Sequence, residues 1–342
     1  MSLKNSNVKI KIPKFLQNKL KDKKISIIYR KFENTINLND NFLVAVSGGP
    51  DSLALAFLSK IYSLKNNLVS KYFIINHGLR PDSLKEAKNV QSILKKHSIS
   101  AKILNWEGKK PISNVQSIAR KKRYQLLFKE CDKLNIQKIL LGHHKDDLIE
   151  NFFIRLLRGS GLKGLISLDK ISKSGDKFLL RPLLNQTKDD LIFVSKKVFN
   201  FYINDPTNKD EKYLRIRLRR LIEELKKNGL DTKKFNKTIA NLKNSNNVVN
   251  FYVDENLKKN SFYLNKKNKV LLNKEFFQQP YEVIFRAISD IIKLVGGKYY
   301  ASRGKKLDNI IEEIEKNRFS RVTLGGCIIE KVNQTIIVRK EH

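Results

Sequence analysis

Ser47-Gly-Gly-Pro-Asp-Ser52 stands between a short apolar run, Phe42-Leu-Val-Ala-Val46, and a segment of helical spacing from Leu53 to Leu64. Gly48 and Gly49 open backbone conformations closed to other residues and let main chain approach a ligand closely. Successive N–H groups in such a turn form an anion-binding nest, and the following helix N-terminus adds partial positive charge. Ser47 and Ser52 can donate hydroxyl hydrogen bonds, and Pro50 sits where its missing N–H costs little. Asp51 is out of place beside an anion unless a Mg²⁺ lies between its carboxylate and phosphates. A tight turn with an Asp or Ser helix cap would use the same residues; the full string directly after an apolar strand favours phosphate. The Ser47–Ser52 loop is neither G-x-x-x-x-G-K-[ST] nor G-x-G-x-x-G.

A second group is Gly142-His-His-Lys-Asp-Asp-Leu-Ile-Glu150. Asp146 and Asp147 open a helix, where Asp is also a good cap. Two adjacent carboxylates repel unless a cation is near, which points to Mg-ATP for at least one of them. Glu150 lies one turn on and can share their face. Two successive histidines cannot point the same way, and His144 is expected to face the site. Arg120 and Arg123, three apart in Ala119-Arg-Lys-Lys-Arg-Tyr124, share a helix face and could stabilise charge on a departing phosphate. With Lys121 and Lys122 between them, they could equally form a solvated basic face.

The elements that must position these groups alternate. Strands are expected at 42–46, 72–75, 101–104 and 138–141, with helices at 53–64, 82–97, 114–134 and 146–157 between and after them. That is the pattern of βαβ units on a parallel sheet, with right-handed crossovers and ligands at the carboxyl ends of strands. Beyond about residue 205 the pattern turns to helices (213–227, 234–253, 282–294, 305–317), a hairpin-like stretch at 262–272 and β-rich runs at 321–329 and 334–339. Residues 1 to about 37 read as basic and irregular, with helical periodicity around Leu16 to Phe32.

The 342-residue chain is 41 % hydrophobic, enough for a real core, and length alone suggests two or three domains. Two cysteines, Cys131 and Cys327, exclude a disulfide framework and a Cys-based zinc cluster; both are expected to pack rather than react. No apolar stretch approaches the roughly 20 residues of a membrane span, and 1–14 has no signal-peptide core, so a cytoplasmic location is expected. The net charge of +36 favours a polyanionic partner. Because 53 of the 69 basic residues are Lys in an Asn- and Ile-rich chain, biased base composition could also contribute, and the 16 Arg say more.

The Ser47–Ser52 string resembles the S-G-G-x-D-S pyrophosphate loop of the N-type ATP pyrophosphatases. Four further stretches resemble the tRNA(Ile)-lysidine synthetases within that superfamily, in the same order along residues 42–220. They are Asn76-His-Gly-Leu-Arg-Pro-Asp-Ser83; Gly142 to Glu150, running on through Arg155-Leu-Leu-Arg-Gly-Ser-Gly-Leu-Lys-Gly-Leu165; Arg181-Pro-Leu-Leu184; and Asp205-Pro-Thr-Asn208 with Leu214-Arg-Ile-Arg-Leu-Arg-Arg220. Thr323-Leu-Gly-Gly-Cys327 looks like that family's small C-terminal domain. The chain departs from the family pattern at Asn151, where Thr is usual, and at Ile216, where Asn is usual.

The resemblance implies an α/β fold: a parallel-sheet, Rossmann-type nucleotide-binding domain of the adenine nucleotide alpha hydrolase kind, a helical middle domain and a small β-containing C-terminal domain. The expected boundaries are a basic extension at 1–37, a catalytic domain at 38–212, a helical tRNA-binding domain at 213–300 and an α+β domain at 301–342. It implies a ligase that adenylates the wobble cytidine of tRNA(Ile) bearing a CAU anticodon and then joins free L-lysine to C2, releasing AMP and pyrophosphate, with a homodimer left open. ATP and Mg²⁺ are the implied cofactors. Expected catalytic residues are Asp51, Arg120, His144, Asp146, Asp147 and Glu150. ATP is expected on Ser47 to Ser52 and His77, Mg²⁺ on Asp51 and Asp147, and tRNA on Arg155, Arg158, Arg215, Arg217, Arg219 and Arg220. A small-molecule ligase of the same superfamily would lack the basic C-terminal half. A non-catalytic RNA-binding relic would not need the intact loop and paired aspartates.

Overall fold

The apolar runs at 42–46, 70–76, 101–105 and 138–140 become strands, and the segments between them become helices. The computed structural model describes residues 12–203, 214–264, 268–297 and 304–341, and the chain divides into two compact units, 1–231 and 232–342.

In the first unit the helices and strands are α1 (Lys14–Leu20), α2 (Lys23–Glu33), β1 (Phe42–Val46), α3 (Pro50–Lys65), β2 (Ser70–Asn76), α4 (Ser83–Lys96), β3 (Ala101–Asn105), α5 (Val115–Leu134), β4 (Lys138–Leu140), α6 (Lys145–Leu156), α7 (Leu162–Leu165), β5 (Ile171–Ser174), β6 (Lys177–Leu180), α8 (Lys188–Phe199) and α9 (Leu214–Lys227). The sheet order is β3-β2-β1-β4-β6-β5. All pairings are parallel except β5 with β6, so β5 is an antiparallel edge. The central strand β1 is almost wholly buried, as a strand covered on both faces must be.

Residues 12–37 are not an irregular extension. Asp22 Oδ1 accepts from the N–H groups of Lys24 and Ile25, ending one helix and starting the next. Ile25, Ile28, Tyr29 and Phe32 then line one stripe of α2 and are buried in the main core with Leu16 of α1. Burying each such side chain contributes about 1.5–3 kcal/mol, more than a solvated appendage could gain.

The second unit holds α10 (Thr232–Asn260), β7 (Ser261–Leu264), β8 (Lys269–Leu272), α11 (Tyr281–Gly296), α12 (Gly304–Glu315), β9 (Arg321–Leu324), β10 (Cys327–Val332) and β11 (Thr335–Lys340). Its antiparallel sheet runs β7-β8-β11-β10-β9. The chain therefore does not part at residues 212 and 300. Helix α9 belongs with the first unit, and β8 hydrogen-bonds to β11, joining the hairpin to the C-terminal strands in one sheet. Gly325 and Gly326 both have positive φ and form the two-residue turn between β9 and β10. Cys327 is buried in this core and Cys131 in the first unit, where burial pushes its thiol up to about 12. No described helix is long and apolar enough to cross a membrane.

Candidate active site

The carboxyl ends of β1, β2 and β4 converge, and the chain leaving each carries the polar groups. After β1, Gly48 adopts φ +86°, and a Cβ there would lie 2.6 Å from Val90 Cγ2 and 2.7 Å from Ile203 Cδ1. Its carbonyl accepts from Ile203 N–H at 2.9 Å, which ties the loop to the segment after α8. Gly142, leaving β4, has a comparable reason to be glycine: a Cβ would lie 3.3 Å from the backbone of Asp51 and Ser52.

Ser52, expected as a donor to ligand, instead organises the loop. Its Oγ accepts from the N–H groups of Ser47 and Gly48 and from Ser47 Oγ, and donates to Gly49 O at 3.0 Å. No side chain caps α3, whose first turn carries the Asp51 carboxylate. The uncapped N-terminus retains its partial positive charge facing the loop.

One side of the site is acidic. Lys188 Nζ binds both oxygens of Asp51, at 2.8 and 2.6 Å. His144 is buried and caps α6: its Nδ1 accepts from Asp146 N–H, while Asp147 Oδ2 accepts from His144 N–H at 2.8 Å. With Nδ1 accepting, Nε2 is left to donate; it lies 3.9 Å from Asp51 Oδ1 and 3.6 Å from Asp147 Oδ2. His144 therefore lies beside both Asp51 and Asp147, and of the two aspartates Asp147 closes the capping box. Burial would raise Asp147, but His144, His143, the His144 amide and Arg215 hold it below the usual carboxylate range. Asp146 lies 3.5 Å from Lys226 Nζ. Glu150 is buried and bound by Arg219 through Nε at 2.5 Å and Nη2 at 3.3 Å. Burial nonetheless pushes its carboxyl up, outweighing Arg219.

The other side is basic. The guanidinium carbons of Arg120 and Arg123 stand 5.3 and 5.9 Å from the Tyr124 ring centroid. Burial pulls Arg123 down, as does the charge of Arg120. Arg181 is buried, with Nη1 donating to Asp169 O and Ser172 Oγ. His143 is pulled down to about 3, first by burial and then by Arg181, Arg120 and Arg123, against the pull of Asp147. His77, edge-on to Trp106, is pulled down to about 4 by burial and by Arg123 and Lys110. Both imidazoles are thus neutral at pH 7. Their Nδ1 atoms and Arg181 Nε are buried without a hydrogen-bond partner, so this side has polar capacity for a ligand.

His143, Arg181 and Lys188 were not expected from sequence. Adjacent histidines leaving a parallel strand point to opposite sides, so the same rule that placed His144 could have placed His143. Lys188 gave no signal, since it is 137 residues from its partner. Of the residues expected to meet tRNA, Arg158, Arg215, Arg217, Arg219 and Arg220 are exposed and Arg155 is half-buried. Arg219, although exposed, pairs with Glu150, and Arg215 lies near enough to act on Arg123 and Asp147. Asp205–Asn208 lie outside the described residues. Asn151 donates to Ser167 Oγ at 3.1 Å, on the outside of α6.

The PP-loop domain family matches residues 17–225. A tRNA(Ile)-lysidine synthase of Wolbachia pipientis wMel is 34 % identical over 319 residues, 91 % of this chain and 74 % of the relative. One from Orientia tsutsugamushi is 36 % identical over 315 residues, 89 % and 70 % respectively. Among solved structures, a U34-tRNA thiolase from Methanococcus maripaludis superposes with a TM-score of 0.54 at 18 % identity, covering 65 % of this chain and 78 % of that one; this is a likeness of fold. The PP-loop that Ser52 shapes, the acids of α6 and relatives matched over nine-tenths of the sequence place the chain in the tRNA(Ile)-lysidine synthase family of PP-loop proteins.

Proposed function

We propose that this protein is an ATP-dependent ligase that joins lysine to C2 of the wobble cytidine of a CAU-anticodon tRNA(Ile). The observation that carries this reading is the opposition of two sides, one of carboxylates and one of arginines and neutral imidazoles, around an uncapped PP-loop helix. In the first step cytidine O2 attacks the α-phosphorus of ATP, the bond to the bridging oxygen breaks, and pyrophosphate leaves with the electron pair. Arg120 and Arg123, next to His77 and His143, stabilise charge on the phosphates as it develops. In the second step the neutral ε-amine of lysine attacks C2, the C2–O bond breaks, and AMP leaves. Glu150, raised by burial, is suited to receive the proton the new nitrogen sheds.

Asp51, once Lys188 moves from it, and Asp147 would supply hard oxygen ligands of the kind Mg²⁺ prefers. When bound, such an ion neutralises phosphate charge. The exposed Arg158, Arg217 and Arg220 and the half-buried Arg155 suit an RNA backbone.

Radiolabelled lysine, Mg-ATP and the protein, mixed with unmodified tRNA(Ile) (CAU), should give labelled tRNA. Methionine tRNA with the same anticodon should stay unlabelled. ATP–pyrophosphate exchange should require tRNA. Exchange without any tRNA would move the protein to the small-molecule ligases, and no exchange at all would overturn the enzymatic reading.

A further inference from the structure

Lys188 stands at the first position of α8, capped by Thr187, whose Oγ1 accepts from Asp190 N–H. Its root is held firmly. Leu183 bridges to His144, and Gln186 O accepts from Lys145 N–H at 3.0 Å, so the segment entering α8 is stitched to the loop leaving β4. Leu191 and Val194 of α8 are buried in the main core with the helix that carries Asp51. From this fixed root the ammonium reaches both oxygens of Asp51 at the start of the PP-loop helix. The pair is only partly shielded, with the Lys188 side chain 39 % exposed and that of Asp51 23 %.

Such a pair is ill suited to a purely structural role, since a half-exposed ion pair contributes little stability. It is well suited to exchange. An ammonium on both oxygens leaves no room for a second cation on that carboxylate. Once Asp51 is engaged elsewhere, the four-carbon stem of Lys188 keeps its charge beside the loop that cradles phosphates. We propose that Lys188 is a pyrophosphate ligand that waits on Asp51 and transfers to the β- and γ-phosphates when nucleotide enters. This deepens the ligase reading and rests on it for the phosphates concerned. It assigns Lys188 to the leaving group and not to the adenylate.

Equilibrium binding tests this without turnover. With Mg²⁺ present, Lys188→Met should weaken binding of inorganic pyrophosphate about 10- to 100-fold, the scale of one charge-assisted hydrogen bond, and leave AMP binding within about twofold. Lys188→Arg should restore most of the loss. In EDTA the sign reverses at the partner: Asp51→Asn frees the ammonium and should tighten pyrophosphate binding, and the gain should vanish in the Asp51→Asn, Lys188→Met double variant. Unchanged pyrophosphate binding in Lys188→Met overturns the assignment, and so does a parallel loss of AMP and pyrophosphate. If Lys188→Met fails to fold, Asp51→Asn and Lys188→Arg alone decide: no tightening in EDTA overturns it. A protein that fails to incorporate lysine but loses pyrophosphate in this pattern would refute the tRNA reading and keep the Lys188 assignment.

Discussion

Three carboxylates on one side of the site, Asp51, Asp146 and Glu150, each meet a cationic side chain, Lys188, Lys226 and Arg219. On the other side, Arg120 and Arg123 face no carboxylate in ion-pair contact among the described residues, and the imidazoles beside them are neutral. The acidic side is complete as it stands and must exchange partners to act. The basic side has no such pairing and gains by receiving an anion. In a chain of such positive charge, the unusual groups are the acids, and the fold has given each of these three its own cation.

The sharpest test of this asymmetry is to remove one charge from each side. Asp51→Ala should abolish adenylation, because the carboxylate meets the nucleotide end of the reaction. Arg123→Met should lower tRNA-dependent ATP–pyrophosphate exchange by about 10²–10³-fold, the usual effect of losing one preorganised donor. Both should leave tRNA affinity within about twofold, since neither residue lies on the exposed arginine face. Filter binding with labelled tRNA, run beside the exchange assay, measures both. A collapse of tRNA binding in either variant would mean that the two sides do not divide the work in this way.

Glu150→Gln separates the two chemical steps. It keeps a hydrogen-bond acceptor for Arg219 and removes the base. Exchange should persist while lysine transfer falls by about 10²-fold, the lower range for a positioned general base. Adenylated tRNA should then accumulate, which is visible with α-labelled ATP. Equal loss of both steps would place Glu150 on the nucleotide side.

A smaller effect concerns stability. His77 and His143 are held near pH 4 and 3 in the fold, against about 6.5 for a free imidazole. Below about 6.5 the unfolded chain binds protons that the folded chain refuses, so stability is full above that pH and declines as pH falls toward the folded values. Asp147, held low, loses its contribution only below the ordinary carboxylate range, while Glu150, pushed up, opposes the imidazoles, so their share over pH 7.5 to 5 is read as the difference between variant and parent. Urea midpoints across that window should fall less steeply in the His77→Asn, His143→Asn variant than in the parent chain. Equal slopes would show that these rings titrate normally.

Much of this was legible in sequence, and the exceptions have physical reasons. The buried parallel strands announce themselves because both faces are apolar, as in Phe42–Val46. The loop was legible because glycine is obligatory where Gly48 meets Val90 and Ile203. Helix α2 was blurred because its four core residues are diluted by Lys23, Lys24, Arg30 and Lys31. Strands β5 and β6, four residues each, are too short to show a period. The Lys188–Asp51 pair depends on tertiary packing of α3 on α8 and leaves no trace in local pattern. The roles within α9 were legible in principle. Steps of four, three and four residues put Arg215, Arg219, Ile222 and Lys226 on one stripe, while Arg217 and Arg220 fall on the other side. Reading the arginine run as a single basic surface hid that division.

The division within α9 gives the finest test of the comparison. Arg217 and Arg219 are both exposed, but Arg217 lies off the stripe on which Arg219 pairs with Glu150, and each phosphate that a side chain neutralises adds about 0.7–0.9 to the slope of log affinity against log salt. Arg217→Ala should therefore weaken tRNA binding modestly and flatten that slope by about one unit. Arg219→Ala, two residues away, should leave the slope unchanged and instead slow lysine transfer, because it strips Glu150 of its partner and leaves a buried carboxylate without its cation. If both variants flatten the slope equally, Arg219 leaves Glu150 when tRNA binds, and the stripe of α9 that meets the acids belongs to the RNA-binding surface after all.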